Sequence, residues 1–279
     1  IKTMESYQEN IQPIGAEPLS KTRYFIGLFV IFAAASAQYF IEDLTPIEAG
    51  IIVYGIPLLF ITLFFGQALI KNAFSRMKAA FKYGFAYFGL FSIATFILSI
   101  LLLIVLLQLD PSALELLNKP NPMLDISPNL AWIMIIVSLL FVGPVEEYIF
   151  RGFVFGGLLT IFKNRHWLIL AIISSNLFAA IHFYYAPLYE WASLVVFLNL
   201  FSIGLTLSVS YYLSGGNLFV PAFIHGLFDA TSFLAIAISP TIGVIARMIM
   251  VAIGLFAALF IFRKRQNTKI IFSLPSNEG

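Results

Sequence analysis

The sequence predicts an all-α polytopic membrane protein, a single membrane domain over 1–279 with about eight transmembrane helices and cytoplasmic N- and C-termini. Three observations predict this class. Hydrophobic residues make up 60% of the 279 and charged residues 11%, where a soluble domain carries about a quarter charged. The apolar residues gather into stretches near 24–41, 48–70, 84–108, 130–162, 167–185, 189–213, 218–238 and 241–262, mostly near the roughly 17–25 residues that cross a bilayer. Finally, the cations keep to alternate connections.

That alternation orients the chain. Lys21 and Arg23 precede the first stretch, while Lys71, Arg76, Lys78 and Lys82 follow the second. Lys163 and Arg165 follow the fourth; Arg263, Lys264, Arg265 and Lys269 follow the eighth. The intervening connections and their margins carry Glu42, Asp43, Glu48, Asp110, Glu115, Asp125 and Glu190, with Lys119 as their cation. The positive-inside rule therefore puts both termini in the cytoplasm, and Trp132, Trp167 and Trp191 fall near stretch ends as interfacial aromatics do. Residues 1–20 are too polar for a signal peptide and are expected to be a cytoplasmic lead-in. Lys71–Tyr83, with Phe74, Met77 and Phe81 on one face, suits a helix lying on anionic lipid or a plain connector. Ser112–Asn118 is expected as a short outer helix. The 279 residues contain no cysteine, which excludes disulfides, thiolate metal sites and thiol nucleophiles. A net charge of +2 gives no reason to expect nucleic acid.

The fourth stretch carries the chemistry. It is too long for a simple crossing, and Pro144 interrupts its hydrogen-bond ladder beside Gly143, so a kink is expected there. Immediately after come Glu146-Glu147-Tyr148-Ile149-Phe150-Arg151. An ionised side chain at mid-span costs about 2.5–3.5 kcal/mol on insertion scales, so a charged cluster inside a span is a functional-site hypothesis by default. Residues four apart share a helix face and neighbours point about 100° apart. Glu147 and Arg151 can therefore pair, leaving Glu146 on another face with no local cation. A carboxylate so placed suits a general base. A buried ion network holding helices together is the plain alternative.

Three histidines complete the inventory. His166 sits beside Trp167 in a basic connection, where a surface role is expected. His182 and His225 lie inside apolar stretches. Glu146 and His182 are each eighteen residues from Asn164, so an antiparallel helix pair turning there would hold them at one level. Phe178 shares a face with His182, and Asp229 with His225, through their four-residue spacing. Counted from the cytoplasmic side, His225 should be shallower than the other two. Such a set could activate water and stabilise an oxyanion, bind a divalent metal, relay protons in a transporter, or form a satisfied polar network. A Gly-x-Ser-x-Gly elbow and a His-Glu-x-x-His zinc motif are both missing. So is the repeated broken-helix pattern of many transporters.

Glu146-Glu147-x-x-x-Arg151, Phe178-x-x-x-His182 and His225-x-x-x-Asp229, in this order on separate spans, resemble the three motifs of the CPBP intramembrane protease family. That family, formerly called Abi, includes the glutamate-type CAAX prenyl endopeptidases. The resemblance covers about 130–238, which it marks as a CPBP-like catalytic core. It implies that Glu146 activates water, His182 helps to position it, and His225 with the residue at 229 supports the oxyanion. Glu147, Arg151 and Phe178 match supporting positions. The prenyl endopeptidases have Asn where this chain has Asp229. An ionised Asp229 cannot donate to an oxyanion, so it would act protonated or orient His225.

The expected function is thus an intramembrane endopeptidase of the cell membrane that cleaves a membrane-bound peptide or protein, with no cofactor and no metal assigned. A metal-dependent membrane protease and a non-catalytic membrane scaffold or immunity protein of the same fold are the alternatives. Arg247, alone in the last stretch, has no assigned partner.

Overall fold

The structure is a computed structural model, and it describes residues 20–37, 40–41, 46–65, 77–112, 115–116, 119, 124–162, 164–214 and 216–265. Within them every long element is a helix. We number these α1 Lys21–Ala37; α2, made of Pro46–Gly50, Ile51–Gly55 and Ile56–Phe65; α3 Met77–Leu109; α4 Pro128–Ile161; α5 Trp167–Ile181; α6 Ser193–Leu213; α7 Phe219–Ala237; and α8 Pro240–Arg265.

Local chemistry sets several of the starts. Ser20 Oγ accepts the Arg23 N–H, Ser127 Oγ that of Leu130 and Ser239 Oγ that of Ile242, each satisfying an amide that the first turn leaves open. Pro128 occupies the first turn of α4, where a missing N–H costs nothing. His166 accepts the Leu168 N–H at the start of α5 and is exposed, in keeping with a surface role.

Where it is described, each predicted apolar stretch is helical, with three departures. The helix of the third stretch begins at Met77 rather than near 84. Of Lys71–Tyr83, expected as a surface helix or a plain connector, Met77–Tyr83 is helical and runs on into α3, while residues 66–76 lie outside the described set. The fifth stretch ends early. α5 stops at Ile181, followed by a 3₁₀ turn at Phe183–Tyr185 and short turns through Ala192. Pro187 falls in the first turn of the short helix Ala186–Tyr189, where its missing N–H costs nothing, and Glu190, at φ 51°, turns the chain into α6. Finally, where a kink is expected at Pro144, widened π-helical turns lie on either side, at Ser138–Val142 and Tyr148–Phe155, with Gly143–Glu147 between them. Such widenings are frequent at functional sites and, like proline, are places where helices bend. The polar lead-in 1–19 and most of Ser112–Asn118 lie outside the described residues.

Among the described residues three helices are long and apolar enough to cross a membrane: Pro128–Ile161, Phe183–Leu213 taken with its leading turns, and Phe219–Ala237. Shorter apolar helices cover Glu48–Phe64, Ile93–Leu109, Trp167–Ile181 and Pro240–Ile253. Large apolar side chains such as Phe29, Ile136, Leu140 and Phe256 stand exposed around the bundle, a pattern that lipid rather than water tolerates. This is a membrane protein. Lys119 and Glu190 pair at 2.8 Å, so the connection before α4 and the one before α6 lie at the same end.

The core runs along the second half of α4, with Phe150, Phe153, Phe155, Phe178, Leu207, Tyr211 and Ile224 buried together. α7 crosses α4, α5 packs on α6, α3 packs on α8, and α1 pairs with α2. Gly143 and Gly226 make the α4–α7 crossing close. A Cβ at Gly143 would lie 2.6 Å from the Gly226 nitrogen, and one at Gly226 would lie 2.7 Å from the Ser138 carbonyl oxygen. These obstacles are backbone and cannot turn aside.

Gly226→Ala should therefore force α4 and α7 apart, at a cost of about 1–3 kcal/mol for overpacking. The thermal midpoint of the detergent-solubilised protein should fall. Gly50, with nothing within 4 Å of a Cβ, supplies the comparison, and Gly50→Ala should leave the midpoint unchanged or raise it.

Candidate active site

The glycine crossing brings the α4 carboxylates onto α7. Glu147 Oε1 accepts from Arg151 Nη1 at 2.7 Å and from His225 Nδ1 at 2.8 Å. Both Glu147 and Arg151 are wholly buried. The pairing predicted from the four-residue spacing is present, and the contact with His225 adds a second helix to it. The Arg151 guanidinium also donates through Nη2 to the Gly204 carbonyl at 2.9 Å and lies 4.6 Å from the centre of the Phe178 ring. One cation thereby ties α4, α5, α6 and, through Glu147, α7. Gly204 is available because it has no side chain: a Cβ there would sit 3.1 Å from the Phe178 ring.

His225 is fixed by this arrangement. A carboxylate only accepts, so the hydrogen of that bond sits on Nδ1, and Nε2 faces away from Glu147. Nε2 lies 3.7 Å from Glu146 Oε2 and 3.7 Å from Asp229 Oδ2, beyond hydrogen-bond length but within ion-pair reach. The expectation that His225 lies shallower than Glu146 is thus corrected. Tilt and the close α4–α7 crossing offset the residue count that suggested it.

Glu146 points away from Arg151, as its position next to Glu147 requires. Its Oε2 is buried with no hydrogen-bond partner among the described residues. Tyr54, partly buried on the π-helical turn of α2, lies near enough to the Glu146 carboxylate to feel its charge. Sequence reasoning missed this residue. The only signal was a polar hydroxyl in the middle of an apolar stretch.

His182 is not inside a helix but caps the end of α5. Its Nδ1 bonds the Phe178 carbonyl at 2.8 Å; a carbonyl accepts, so Nδ1 carries the hydrogen and Nε2 is the acceptor nitrogen of a neutral ring. No hydrogen bond or ion pair joins His182 to Glu146. Phe178 instead lies against both histidines, its ring centre 4.8 Å from that of His182 and 6.0 Å from that of His225. A cavity of about 350 Å³ opens beside His182, walled by Phe183, Ala186, Leu194, Phe197 and Leu200. Asp229 is the most exposed of the charged group, at 27% of its side chain.

Arg247 gains partners. It donates to Thr231 Oγ1 at 3.1 Å and Ser232 Oγ at 2.9 Å, over the Phe228 ring at 4.8 Å. These contacts brace α7 just beyond Asp229. Among the described residues no group of three or more His, Asp and Glu side chains is arranged to hold a metal ion.

A family model described as type II CAAX prenyl endopeptidase Rce1-like matches residues 128–231. The chain carries an Rce1-like segment. It contains Glu146, Glu147, Arg151, Phe178, His182, His225 and Asp229, and it bears out the resemblance read from the three motifs. The Rce1-like family is a family of membrane proteases, which supports assignment of the chain as a hydrolase. No curated protein and no solved structure matches the chain. Tyr54 and Arg247 lie outside the Rce1-like segment.

Arg151→Met should leave Glu147 buried without its cation, a loss of about 3–5 kcal/mol. Glu147→Gln combined with Arg151→Met should lose less than the sum of the single changes, because the two residues share one interaction. Thermal unfolding of the three variants in detergent reads both effects.

Proposed function

We propose that the chain is a multi-pass protein of the cell membrane, with both termini cytoplasmic, that hydrolyses a peptide bond in a membrane-associated peptide or protein by glutamate-activated water. The observation that carries this reading is Glu146 Oε2, buried and unpartnered, 3.7 Å from Nε2 of a histidine whose Nδ1 is held on a second carboxylate. A free carboxylate oxygen beside a fixed imidazole is what removing a proton from water requires.

Residue roles follow from the geometry. A water between Glu146 and His182 would give one hydrogen to Glu146 Oε2 and the other, as a hydrogen bond, to the acceptor Nε2 of His182. As the water oxygen bonds to the scissile carbonyl carbon, its proton passes to Glu146 and the carbonyl electron pair moves onto oxygen. His225, with Nδ1–H on Glu147, stabilises that oxyanion from a protonated Nε2. Collapse of the intermediate breaks the C–N bond, and Glu146 delivers its proton to the departing amine. Asp229 acts as an ionised partner of His225 rather than as a donor, since its Oδ2 faces the same Nε2. Arg151 and Glu147 hold His225 in place. The apolar cavity beside His182 supports a substrate that arrives from lipid.

The test is cleavage of a fluorescence-quenched panel of membrane-anchored peptides, with and without a prenyl chain, by the purified full chain. Glu146→Gln should abolish turnover and His182→Ala should reduce it by about 10²-fold or more, with folding unchanged. Turnover by Glu146→Gln would refute the glutamate mechanism, loss of activity with a chelator would favour a metal protease, and a wild type that cleaves nothing would favour a scaffold.

A further inference from the structure

The connection between α5 and α6 is built differently from the helices it joins. It runs as a 3₁₀ turn at Phe183–Tyr185, a single helical turn at Ala186–Tyr189 and a second 3₁₀ turn at Glu190–Ala192. Short 3₁₀ pieces hold poorer hydrogen bonds than an α-helix, and segments of this kind open at low cost. The connection also walls the cavity. Phe183, Tyr185 and Ala186 line it from the connection, Leu194, Phe197 and Leu200 from α6, and His182 from the end of α5. One wall is therefore a continuous helix and the other a set of short turns.

Two contacts hold the turns in place. Tyr189 and Ala192 are buried against Leu106 near the end of α3, and Lys119 Nζ lies 2.8 Å from Glu190 Oε1. The side chains of that ion pair are exposed, at 39% and 60%, so water and salt compete with it. Glu190 itself sits at φ 51°, ψ −130°. That conformation is at ease only for glycine, and another residue persists in it only where its contacts over-determine it. Among the described residues no other non-glycine has a positive φ. A backbone held off its preferred conformation beside an exposed ion pair is a hinge with a catch. From the hinge a run of rings leads back to His182. Tyr189 and Tyr185 lie 5.9 Å apart, Tyr185 and Tyr184 4.4 Å, and Tyr184 and His182 5.8 Å, between ring centres. A swing about residue 190 therefore moves the surroundings of the imidazole.

We propose that Phe183–Tyr189 is a flap over the cavity that pivots at Glu190, and that the Lys119–Glu190 ion pair is its latch. With the latch made, the cavity has its volume of about 350 Å³. With the latch broken, residue 190 relaxes to negative φ, the turns swing off α6, and the cavity widens to admit an apolar chain segment. Phe183, Trp191 and Leu194 stand exposed on and beside the flap, which suits entry from lipid rather than from water. The latch does not depend on hydrolysis. Only the part of the admitted segment as substrate rests on the proposed function.

The absence of cysteine from the chain lets a single thiol report the flap. Leu200→Cys places it on the cavity wall, about 10 Å along α6 from Ser193. The probe is N-cyclohexylmaleimide, applied to the purified full chain in a nonionic detergent. Lys119→Met and Glu190→Gln, each added to Leu200→Cys, should raise the alkylation rate about two- to fivefold, the effect an exposed pair supports. The thermal midpoint should stay in place. Lys119→Glu combined with Glu190→Lys should restore the slow rate. Salt at about 1 M, which shortens the screening length to about 3 Å, should speed labelling of Leu200→Cys alone but not with Lys119→Met. A thiol at Leu140, on the exposed face of α4, should label at one rate throughout. Equal rates with and without the ion pair would overturn the latch. Faster labelling that the swapped pair fails to slow would mean damage to the turn, and would overturn it too. A wild type that cleaves no peptide would remove the proposed function and leave these rates to decide the flap.

Discussion

The guanidinium of Arg151, sealed in the centre of the bundle, is the constraint on which the other contacts depend. It is among the largest fully buried side chains of the described residues, and a charge withdrawn from water is tolerated only when its surroundings answer it. Glu147 supplies the counter-charge, the Gly204 carbonyl a second acceptor and the Phe178 ring a π-face. Each comes from a defined place on α4, α5 or α6, so the helices are indexed against one point. His225 then joins through the oxygen that Arg151 already uses. Replacing such a pair by apolar residues can leave stability unchanged. What the ion pair adds is register, and register is what the neighbouring carboxylate and imidazoles require.

Proximity comes from the backbone. The Gly143–Gly226 contact lets α4 and α7 meet with no side chain between them, the small-residue packing favoured between helices in lipid. Glu146 lies three residues beyond one of these glycines and His225 is next to the other. The crossing is therefore also the place where charge from two helices accumulates. Arg247 works at the far side of α7: its bonds to Thr231 and Ser232 hold the turn after Asp229 against α8.

Short-range relations were legible in the sequence and long-range ones were not. The helical stretches and the Glu147–Arg151 pair follow from composition and the four-residue period, which act along one helix. The depth of His225 did not, because a residue count assumes straight, parallel rods, whereas the α4–α7 crossing is set by two glycines 83 positions apart. His182 was read as lying within a span because the apolar run continues through Phe183. In the structure the helix ends at Ile181 with His182 as its cap. Lys71–Tyr83 was set apart from the third stretch by its lysines and its apolar face of Phe74, Met77 and Phe81, yet from Met77 onward the helix runs through lysine and alanine into α3. Tyr54 had no local signal tying it to Glu146, since a single hydroxyl in an apolar run does not name its neighbour.

The two π-helical turns of α4 have a bearing on how this rod divides its surface. An inserted residue rotates everything that follows by about 100° relative to an unbroken α-helix. The short segment bearing the carboxylates lies between two such insertions, so its azimuth is uncoupled from that of the ends. Trp132, Ile133, Ile136, Leu140 and Phe141 stand outward before it, facing acyl chains, while Tyr148–Phe155 after it is buried throughout. Drift among greasy residue types on the outer stripe, as a different lipid composition would demand, can therefore proceed without swinging the acids out of the interior.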